Sequence, residues 1–460
     1  MNRALVLGVV VLTLVATGAG TVLGRVAGTE RRVTDTYGVE EYPDIWEDTV
    51  VWADKSQGDN EEIWTFDLSN GRMEQLSSAL GDKTWPRVFG DTVVWMQVDY
   101  TVDAISGQTV LTDTLAIHSL SAKSTRLLKE VASSGMPDGH QKFPDIYGDY
   151  IVFENEIPRT APDPSIFDIY LLDLRSGVIS PVTNDLLSER LPAVFGNWVV
   201  WEEVSIAGGE ADVDLWVYRI GCTTAPCSWS VANSPDWDEN WASISGDTLV
   251  YADYRNDTNR RSDQDETDNG DIYRIDLSPL LDGNPANDSP LPAVPVIVAS
   301  GSQEEPRLFG DRMVWRDFRA NATQADLWAM RLPSGTPEEL AVGYGEKWRV
   351  QVWDDRVVWE DWRHDLVRTD DIDDFDIYVF CYDQPTCGVP RSETPVLLYV
   401  TVVLIVLVAL VLAYWLIVRR ERPADGEPVE PTRARRPQKG KGPRSAAGKS
   451  KGKKGSTWRR

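Results

Sequence analysis

The hydrophobic and polar positions along the chain follow one phrase that occurs seven times. An aromatic or small residue precedes a Gly-Asp or related pair, and a mostly β-branched pair and an aromatic residue follow, as in FGDTVVWMQ, YGDYIVFEN and FGDRMVWRD. These final aromatic residues are spaced 43 to 64 residues apart. Spacings of that size are typical of β-propeller blades. The residues are Trp52, Trp95, Phe153, Trp201, Tyr251, Trp315 and Trp359.

Each phrase predicts a β-hairpin, because Gly and Asp tolerate the dihedral angles of a tight turn. A β-branched pair followed by an aromatic residue is typical of a buried strand. A second phrase such as EIW, DIY or DLW follows in each unit, and a further short strand such as ISPVT comes next. Each unit is therefore predicted to form four strands, which make one propeller blade.

The last unit lacks an outer strand, because the chain beyond Cys387 runs through a Pro-containing linker into a hydrophobic segment. Residues 31–43 match the strand and link that precede every later unit. We therefore predict an all-β fold, a seven-bladed β-propeller over residues 31–387. Residues 31–34 are expected to close the ring by pairing beside the strand that begins at Asp376, which removes exposed sheet edges.

Two hydrophobic segments flank the predicted propeller. Residues 4–24 end in small residues and predict a signal peptide or an uncleaved membrane anchor within residues 1–30. After a linker at 388–395, residues 396–418 contain no charged residue and predict a transmembrane helix.

The charge of the chain changes sign at this second segment. Residues 419–460 carry a net charge of +11, so residues 1–418 carry −37. Basic flanks stay on the cytoplasmic side. The expected protein lies in the cell membrane with the propeller outside and a disordered basic tail inside, and it has two spans if the first segment is not cleaved.

The same charges restrict the partners. Nucleic acid is excluded as a partner of the acidic ectodomain, because its phosphates would be repelled. The basic tail is expected to be a solvated stop-transfer segment, and contact with anionic lipid or nucleic acid is the alternative.

The four cysteines form two close pairs, Cys222 with Cys227 and Cys381 with Cys387. Export permits disulfides, so two local bridges are predicted. Zinc is the other interpretation, but neither pair has the spacing typical of zinc sites and no His lies close by. Glycosylation is predicted at three acceptor sequences, which begin at Asn256, Asn287 and Asn321.

Three units carry an Asp and an Arg two residues apart directly after the repeated aromatic residue. They form either a structural ring of ion pairs or a charged patch that faces a ligand. The residues are Asp253 and Arg255, Asp317 and Arg319, and Asp361 and Arg363.

Of the 19 Trp residues, thirteen fall on repeat positions, including Trp85 and Trp241, and these are predicted to pack between blades. Trp237 and Trp362 are the better candidates for a surface that binds a ligand.

The stretch DQDETDNGDI approximates a calcium-binding loop. Asp265, Thr267, Asn269 and Gly270 follow the spacing with which such loops place oxygen ligands around the ion. An ordinary solvated acidic loop is the alternative. Calcium is therefore the one cofactor that the sequence indicates, and only at this loop.

The paired GD-x-VVW-x-D and DIY-x-x-DL phrases resemble TolB-type β-propellers, especially the membrane-anchored versions on archaeal surfaces, over about residues 31–385. The resemblance implies the fold. It leaves the function open, since such propellers serve as binding platforms, adhesins and enzyme appendages. TolB itself consists of a six-bladed ring beside another domain, whereas this chain has seven units.

No catalytic residue is assigned, because the chain has no G-x-S-x-G, H-E-x-x-H or Gly-rich phosphate loop. The leading hypothesis is a membrane-anchored binding module for a protein, glycan or cell-envelope ligand. The alternative is an extracellular lyase or glycosidase, which would need charged residues that converge on one pocket at the channel mouth. Residues 256–270, 320–325 and 364–375 are expected to face away from the membrane and to carry any ligand site.

Overall fold

A computed structural model of the protein describes residues 25–388 in part. The chain divides into two compact units, Met1–Ser392 and Glu393–Arg460, and all described residues belong to the first. Among the described residues, no helix is long and apolar enough to cross a membrane. The predicted segments 4–24 and 396–418 and the basic tail lie outside these residues. Within 25–388, residues 37, 57, 59, 79–80, 103–108, 158–165, 208–209, 224, 235–236, 258–268, 283–289, 365–374 and 385 are not described.

The described residues form seven four-stranded antiparallel sheets, which confirms the seven-bladed propeller. Strand A of blades 1 to 7 is β2 (Glu40–Trp46), β6 (Lys83–Phe89), β10 (His140–Tyr147), β14 (Ser188–Phe195), β18 (Glu239–Ser245), β22 (Gln303–Phe309) and β26 (Lys347–Trp353). Strand B is β3 (Thr49–Asp54), β7 (Thr92–Val102), β11 (Tyr150–Ile157), β15 (Trp198–Ala207), β19 (Thr248–Asp253), β23 (Arg312–Asp317) and β27 (Arg356–Asp361).

The outer half of each blade completes the sheet. Strand C is β4 (Glu62–Asp67), β8 (Thr109–Ser119), β12 (Ile166–Asp173), β16 (Glu210–Arg219), β20 (Asp271–Asp276), β24 (Asp326–Arg331) and β28 (Asp376–Tyr382). Strand D is β5 (Arg72–Gln75), β9 (Ser124–Leu127), β13 (Val178–Pro181), β17 (Ser228–Ala232), β21 (Val294–Ile297), β25 (Glu338–Ala341) and, in blade 7, β1 (Gly28–Arg32). Two short helices, α1 (Leu128–Val131) and a 3-10 helix (Ser278–Leu281), follow β9 and β20.

The hydrophobic core lies between the blades. Successive side chains of a strand point to opposite faces of its sheet. In blade 1, Val50 and Trp52 therefore pack against blade 7, while Val51 and Ala53 pack against blade 2. The seven repeated aromatic residues are at most 2% exposed, which confirms that they pack between blades.

The N-terminal strand closes the ring, as predicted, but the paired segment is shifted. In β1, Gly28 lies opposite Tyr382 and Arg32 opposite Tyr378. The pairing residues are thus 28–32, and the prediction of 31–34 was wrong by three residues at its start. Val33 and Thr34 still bond to β28 beyond the paired residues, since the Val33 N–H donates to the Ile377 carbonyl at 2.7 Å and the Thr34 hydroxyl accepts from the Ile377 N–H at 2.8 Å.

Both ends of the propeller lie on one face. Because β1 begins beside the end of β28, the chain enters and leaves where the A–B and C–D turns lie, which we call the A–B face. The Arg31 Nη1 atom donates to the Cys387 carbonyl at 2.9 Å across these two ends. The opposite side, with the B–C loops and the D–A links, is called the link face.

The two predicted disulfides, Cys222–Cys227 and Cys381–Cys387, are both present. The first follows β16, and the second joins Cys381 near the end of β28 to Cys387 just after it, so both lie at the A–B face. Cys381 and Cys387 are buried between blades 7 and 1, so this bridge holds the chain end against the closing strand.

Candidate functional site

Every strand A contains a β-bulge at the same position. In blade 1 the pairing register with strand B shifts between Glu41 and Asp44. One residue of each bulge has a positive φ angle, between 45° and 57°, although none is glycine. Such a conformation costs on the order of 1 kcal/mol or more and persists only where the surroundings hold it. These bulge residues are Tyr42, Trp85, Phe143, Leu191, Trp241, Glu305 and Arg349.

Carboxylates of the preceding blade hold three of the bulges. In each case a buried Glu of strand B accepts the backbone N–H of the bulge residue, and burial raises the pKa of all three Glu residues to about 7. These carboxylates therefore stabilise the contacts between neighbouring blades. The bonds join Tyr42 N to Glu360 (2.5 Å), Leu191 N to Glu154 (2.7 Å) and Trp241 N to Glu202 (2.8 Å).

The bulges turn aromatic side chains toward the propeller axis, because a bulge changes the direction of the residues on its strand. The Trp85 ring lies 4.6 Å from Tyr42 and 4.9 Å from Phe143, and Leu191 and Trp241 continue the wall. The Trp85 ring thus packs between aromatic rings of blades 1 and 3, as predicted, while the position of Trp85 and Trp241 in the wall of an axial cavity was not predicted. The proline that follows five of the seven bulge residues was the available signal, since proline inside a strand pattern marks a bulge or an edge.

Charged side chains form the next layer along the axis. Arg87 lies near Asp145, with 3.9 Å between Nε and Oδ1, and burial raises the pKa of Asp145. Burial lowers the pKa of Arg307, because its charge is held away from bulk water. Within the described residues, the hydrogen bonds of Arg87 and Arg307 go only to the carbonyls of their preceding prolines, at 2.9 and 3.2 Å. Both guanidinium groups therefore keep donors for a ligand.

Six aromatic side chains close the axis at the A–B face. Their rings contact one another in a closed cycle, with centroid distances from 3.5 to 6.1 Å. In blade 5 the equivalent residue is Ser245, whose hydroxyl accepts the Gly310 N–H at 2.9 Å. The six residues, which we call the aromatic plug, are Trp46, Phe89, Tyr147, Phe195, Phe309 and Trp353.

A cavity of about 150 Å³ lies on the axis above the aromatic plug. Its walls include Trp85, Phe143 and Trp241, and its charged groups are Arg87, Arg307, Asp145 and Glu202. Because the plug fills the A–B side, we take the link face as its entrance. This axial cavity combines aromatic walls with convergent charged groups, which makes it a candidate site for a small polar ligand.

The three predicted Asp and Arg pairs form local ion pairs instead of lining this cavity. Each Asp is completely buried, and each Arg lies over an aromatic ring of strand C at 4.1 to 4.3 Å. The Arg319 Nε and Nη2 atoms donate to both oxygens of Asp317 at 2.8 and 2.5 Å. The same fork joins Arg255 to Asp253, while Arg363 bonds both Asp361 and Glu30. A role in ligand binding stays a prediction for these residues.

The two Trp residues predicted to bind at the surface, Trp237 and Trp362, are half-buried, and the Trp362 ring packs edge-on against Phe375 at 4.7 Å. In the predicted calcium loop, Asp265 and Thr267 lie outside the described residues. Asn269 is described and half-buried, so calcium binding there stays a prediction.

The predicted glycosylation sites differ in their surroundings. Asn256 is exposed, and its amide donates to Asp271 at 2.6 Å. Asn321 is exposed, and its side-chain oxygen accepts from Thr323. Asn287 lies outside the described residues, and glycosylation itself stays a prediction.

Comparison with known proteins identifies the fold but assigns the chain to no family. No family model matches the sequence, and no curated protein does. Similar solved structures include the β-propeller domain of the Trilobed protease from Pyrococcus furiosus, with 10% identity and a TM-score of 0.48 over 71% of this chain and 92% of that one. A prolyl endopeptidase has 10% identity and a TM-score of 0.50 over 71% and 46%. TolB from Acinetobacter baumannii has 13% identity and a TM-score of 0.36 over 62% and 61%.

At these identities the likeness shows the fold alone, a β-propeller. The chain spans about half the length of the prolyl endopeptidase and about three fifths of the length of TolB.

Proposed function

We propose that this protein is a membrane-anchored extracellular binding module of the TolB-like propeller type found on archaeal surfaces. Its axial cavity takes one acidic sugar ring of a larger glycan. The observation that carries this proposal is the axial cavity itself, which has aromatic walls and two arginines with unused donors. The rest of the glycan lies on the link face.

The chemistry of the cavity suits an acidic sugar. The faces of Trp85 and Trp241 can pack against the apolar side of a sugar ring. A guanidinium group binds a carboxylate through two parallel hydrogen bonds, and such a pair is stronger where water is excluded. A cavity of about 150 Å³ also has room for one six-membered ring. Asp145 keeps 23% of its side-chain surface free, so it can accept from a hydroxyl group.

Substitutions in the cavity are expected to weaken binding of acidic oligosaccharides to the full-length protein. Trp85→Ala removes a stacking face and Arg307→Gln removes a charged donor, so each should raise Kd about tenfold or more. Titration calorimetry with acidic and neutral oligosaccharides of the same linkage measures this effect. Arg331→Gln is the matched control, because Arg331 is exposed and pairs with the exposed Asp311.

Two outcomes would contradict the proposal. Equal affinity of both cavity variants and the parent would place the ligand elsewhere. Binding of peptides through a free carboxylate, with no binding of acidic glycans, would make the ligand a protein.

The enzyme alternative is supported by the convergence of charged residues on the cavity. Burial raises the pKa of Glu202 to about 7, a range that suits a general acid. However, Asp145 and Glu202 each already accept a backbone N–H of the next blade. Shortening of an acidic polysaccharide by the parent protein, lost in Glu202→Gln, would favour a lyase or glycosidase over a binding module.

The membrane orientation is the other part of the proposal. Residues 4–24 and 396–418 flank a propeller whose two ends share the A–B face, and on this ground we propose that this face lies toward the bilayer and the link face outward. On intact cells, Ala320→Cys in a B–C loop should label readily with a bulky impermeant thiol reagent, and Asn70→Cys in a C–D turn should label poorly. The native cysteines are paired, so they add no background.

A cysteine at Gln438 in the basic tail is the control for sidedness, because it should label only after the cells are permeabilised. Strong labelling at Asn70 with none at Ala320 would reverse the orientation.

A further inference from the structure

The residue two positions before each bulge residue is polar and buried in all seven blades, at most 2% exposed. In blade 2 this residue is a lysine, whose Nζ atom lies 3.0 Å from Glu62, the acidic residue of the EIW phrase of the preceding blade. In blade 7 it is Lys347, which lies 4.0 Å from the corresponding Asp326. At these two seams a buried ammonium group therefore neutralises a partly buried carboxylate. The seven residues are Glu40, Lys83, Gln141, Glu189, Glu239, Gln303 and Lys347.

At the seam between blades 3 and 4 the lysine is replaced by Glu189, and its neighbours are acidic. One oxygen atom each of Asp185, Glu189 and Glu203 lies within 4.8 Å of the others. Asp185 lies in the D–A link, and Glu203 lies directly opposite Glu189 on β15. Three carboxyl groups thus meet at the position where blades 2 and 7 have a lysine.

Glu189 is completely buried, and its two oxygens differ. Oε2 accepts a hydrogen bond from the Thr183 hydroxyl at 2.7 Å. Oε1 has no hydrogen-bond partner within the described part of the chain. A buried carboxylate oxygen without a partner is costly, and it is usually compensated by a charge partner or a metal ion. In the fifth blade the Oε1 atom of the equivalent Glu239 also lacks a partner, but within the described residues three acidic oxygen atoms come together only around Glu189.

We infer that Asp185, Glu189 and Glu203 bind a calcium ion. This ion supplies the positive charge that a lysine ammonium group supplies at the same position in blades 2 and 7. The donor set consists of oxygen atoms alone, which suits a hard cation. Asp185 is exposed in the D–A link, so an ion can reach the site from solvent. The Asp185 side chain can also change its position to coordinate the ion. None of these three residues lines the axial cavity, and none belongs to the predicted calcium loop.

Calcium is expected to raise the Tm of the chelator-treated full-length protein. At a 100-fold excess over Kd the increase should be on the order of 5 °C. Asp185→Asn and Glu203→Gln should each lose most of this increase and bind calcium at least tenfold more weakly in titration calorimetry. Asp185 is exposed, so its variant should fold even if the other does not.

Glu189→Lys provides the sharpest comparison, because it introduces the lysine that blades 2 and 7 have at this position. This variant should melt in chelator at or above the Tm of the parent in chelator and should not respond to calcium. Glu74→Gln is the matched control, since Glu74 is a partly exposed carboxylate of β5 that pairs only with surface cations. It should keep the full calcium response.

Two results would overturn the inference. A parent protein without a calcium response would mean that Glu189 is instead neutralised by a proton shared with Asp185. An undiminished response in both Asp185→Asn and Glu203→Gln would place the ion at another site.

Discussion

Deletion of residues 28–34 is expected to unfold the whole propeller and not only its seventh blade. The deletion removes five paired residues of β1 and the buried Val33. It also leaves the completely buried Asp376 without Arg32, which donates to it at 2.7 Å. Removal of one partner of a buried ion pair costs about 3–5 kcal/mol, and loss of a buried valine about 1.5–3 kcal/mol. This total is comparable with the whole stability of a typical domain, so urea denaturation followed by Trp fluorescence should show little folded protein.

A deletion of the same length in the basic tail, residues 446–452, is the control and should leave the urea midpoint unchanged. Gly28→Val tests the same closure without a deletion. A Cβ atom at this position would lie 2.4 Å from the Cys381 carbonyl and from the Phe380 ring, so the strand would have to shift. If the deletion variant melts like the parent, the N-terminal strand does not hold the ring.

Replacement of Asp317 by alanine is expected to lower the free energy of unfolding by about 3–5 kcal/mol. Asp317 is completely buried and accepts hydrogen bonds from two different side chains. The Trp315 indole N–H donates to it at 2.9 Å, and Arg319 donates through Nε and Nη2. Without the carboxylate, the indole and the guanidinium group both lose their acceptor. Urea denaturation at neutral pH measures the difference.

Asp311→Ala is the control in the same blade. Asp311 pairs with Arg331, and both side chains are more than half exposed, so its loss should cost less than about 1 kcal/mol. If Asp317 mainly faces a ligand, the opposite result is expected. Asp317→Ala would then keep the stability of the parent and change only binding.

The local pattern of the chain was sufficient to predict the blades. Val50, Val51 and Trp52 alternate between two faces of one strand, and both faces are buried because every blade has two neighbours. Such a phrase can be recognised without information about distant residues, and the seven copies in register give the number of blades. The closing strand followed from the outer strand that the last unit lacks, although its pairing register did not.

The axial cavity was not predicted, because its residues look like ordinary members of the repeat. Trp52 and Trp85 both fall on repeat positions, yet Trp52 lies in the core and Trp85 also lines the axial cavity. A bulge separates these environments, and a change of register by one residue reverses the face to which a side chain points. The proline that follows five of the seven bulge residues shows where the strand departs from its pattern. It does not show which side chain turns inward.

The two candidate sites depended on the tertiary structure for the same physical reason. Arg87 and Arg307 come from blades 2 and 6 and meet only because the ring closes. Asp185, Glu189 and Glu203 are close in sequence, but acidic residues are so frequent in this chain that proximity alone singles out none of them. The sequence by itself determined the blades, their closure and the disulfides, because these depend on local alternation and short loops. Only the tertiary structure decided which charges lack a partner, because burial and pairing depend on how neighbouring blades pack.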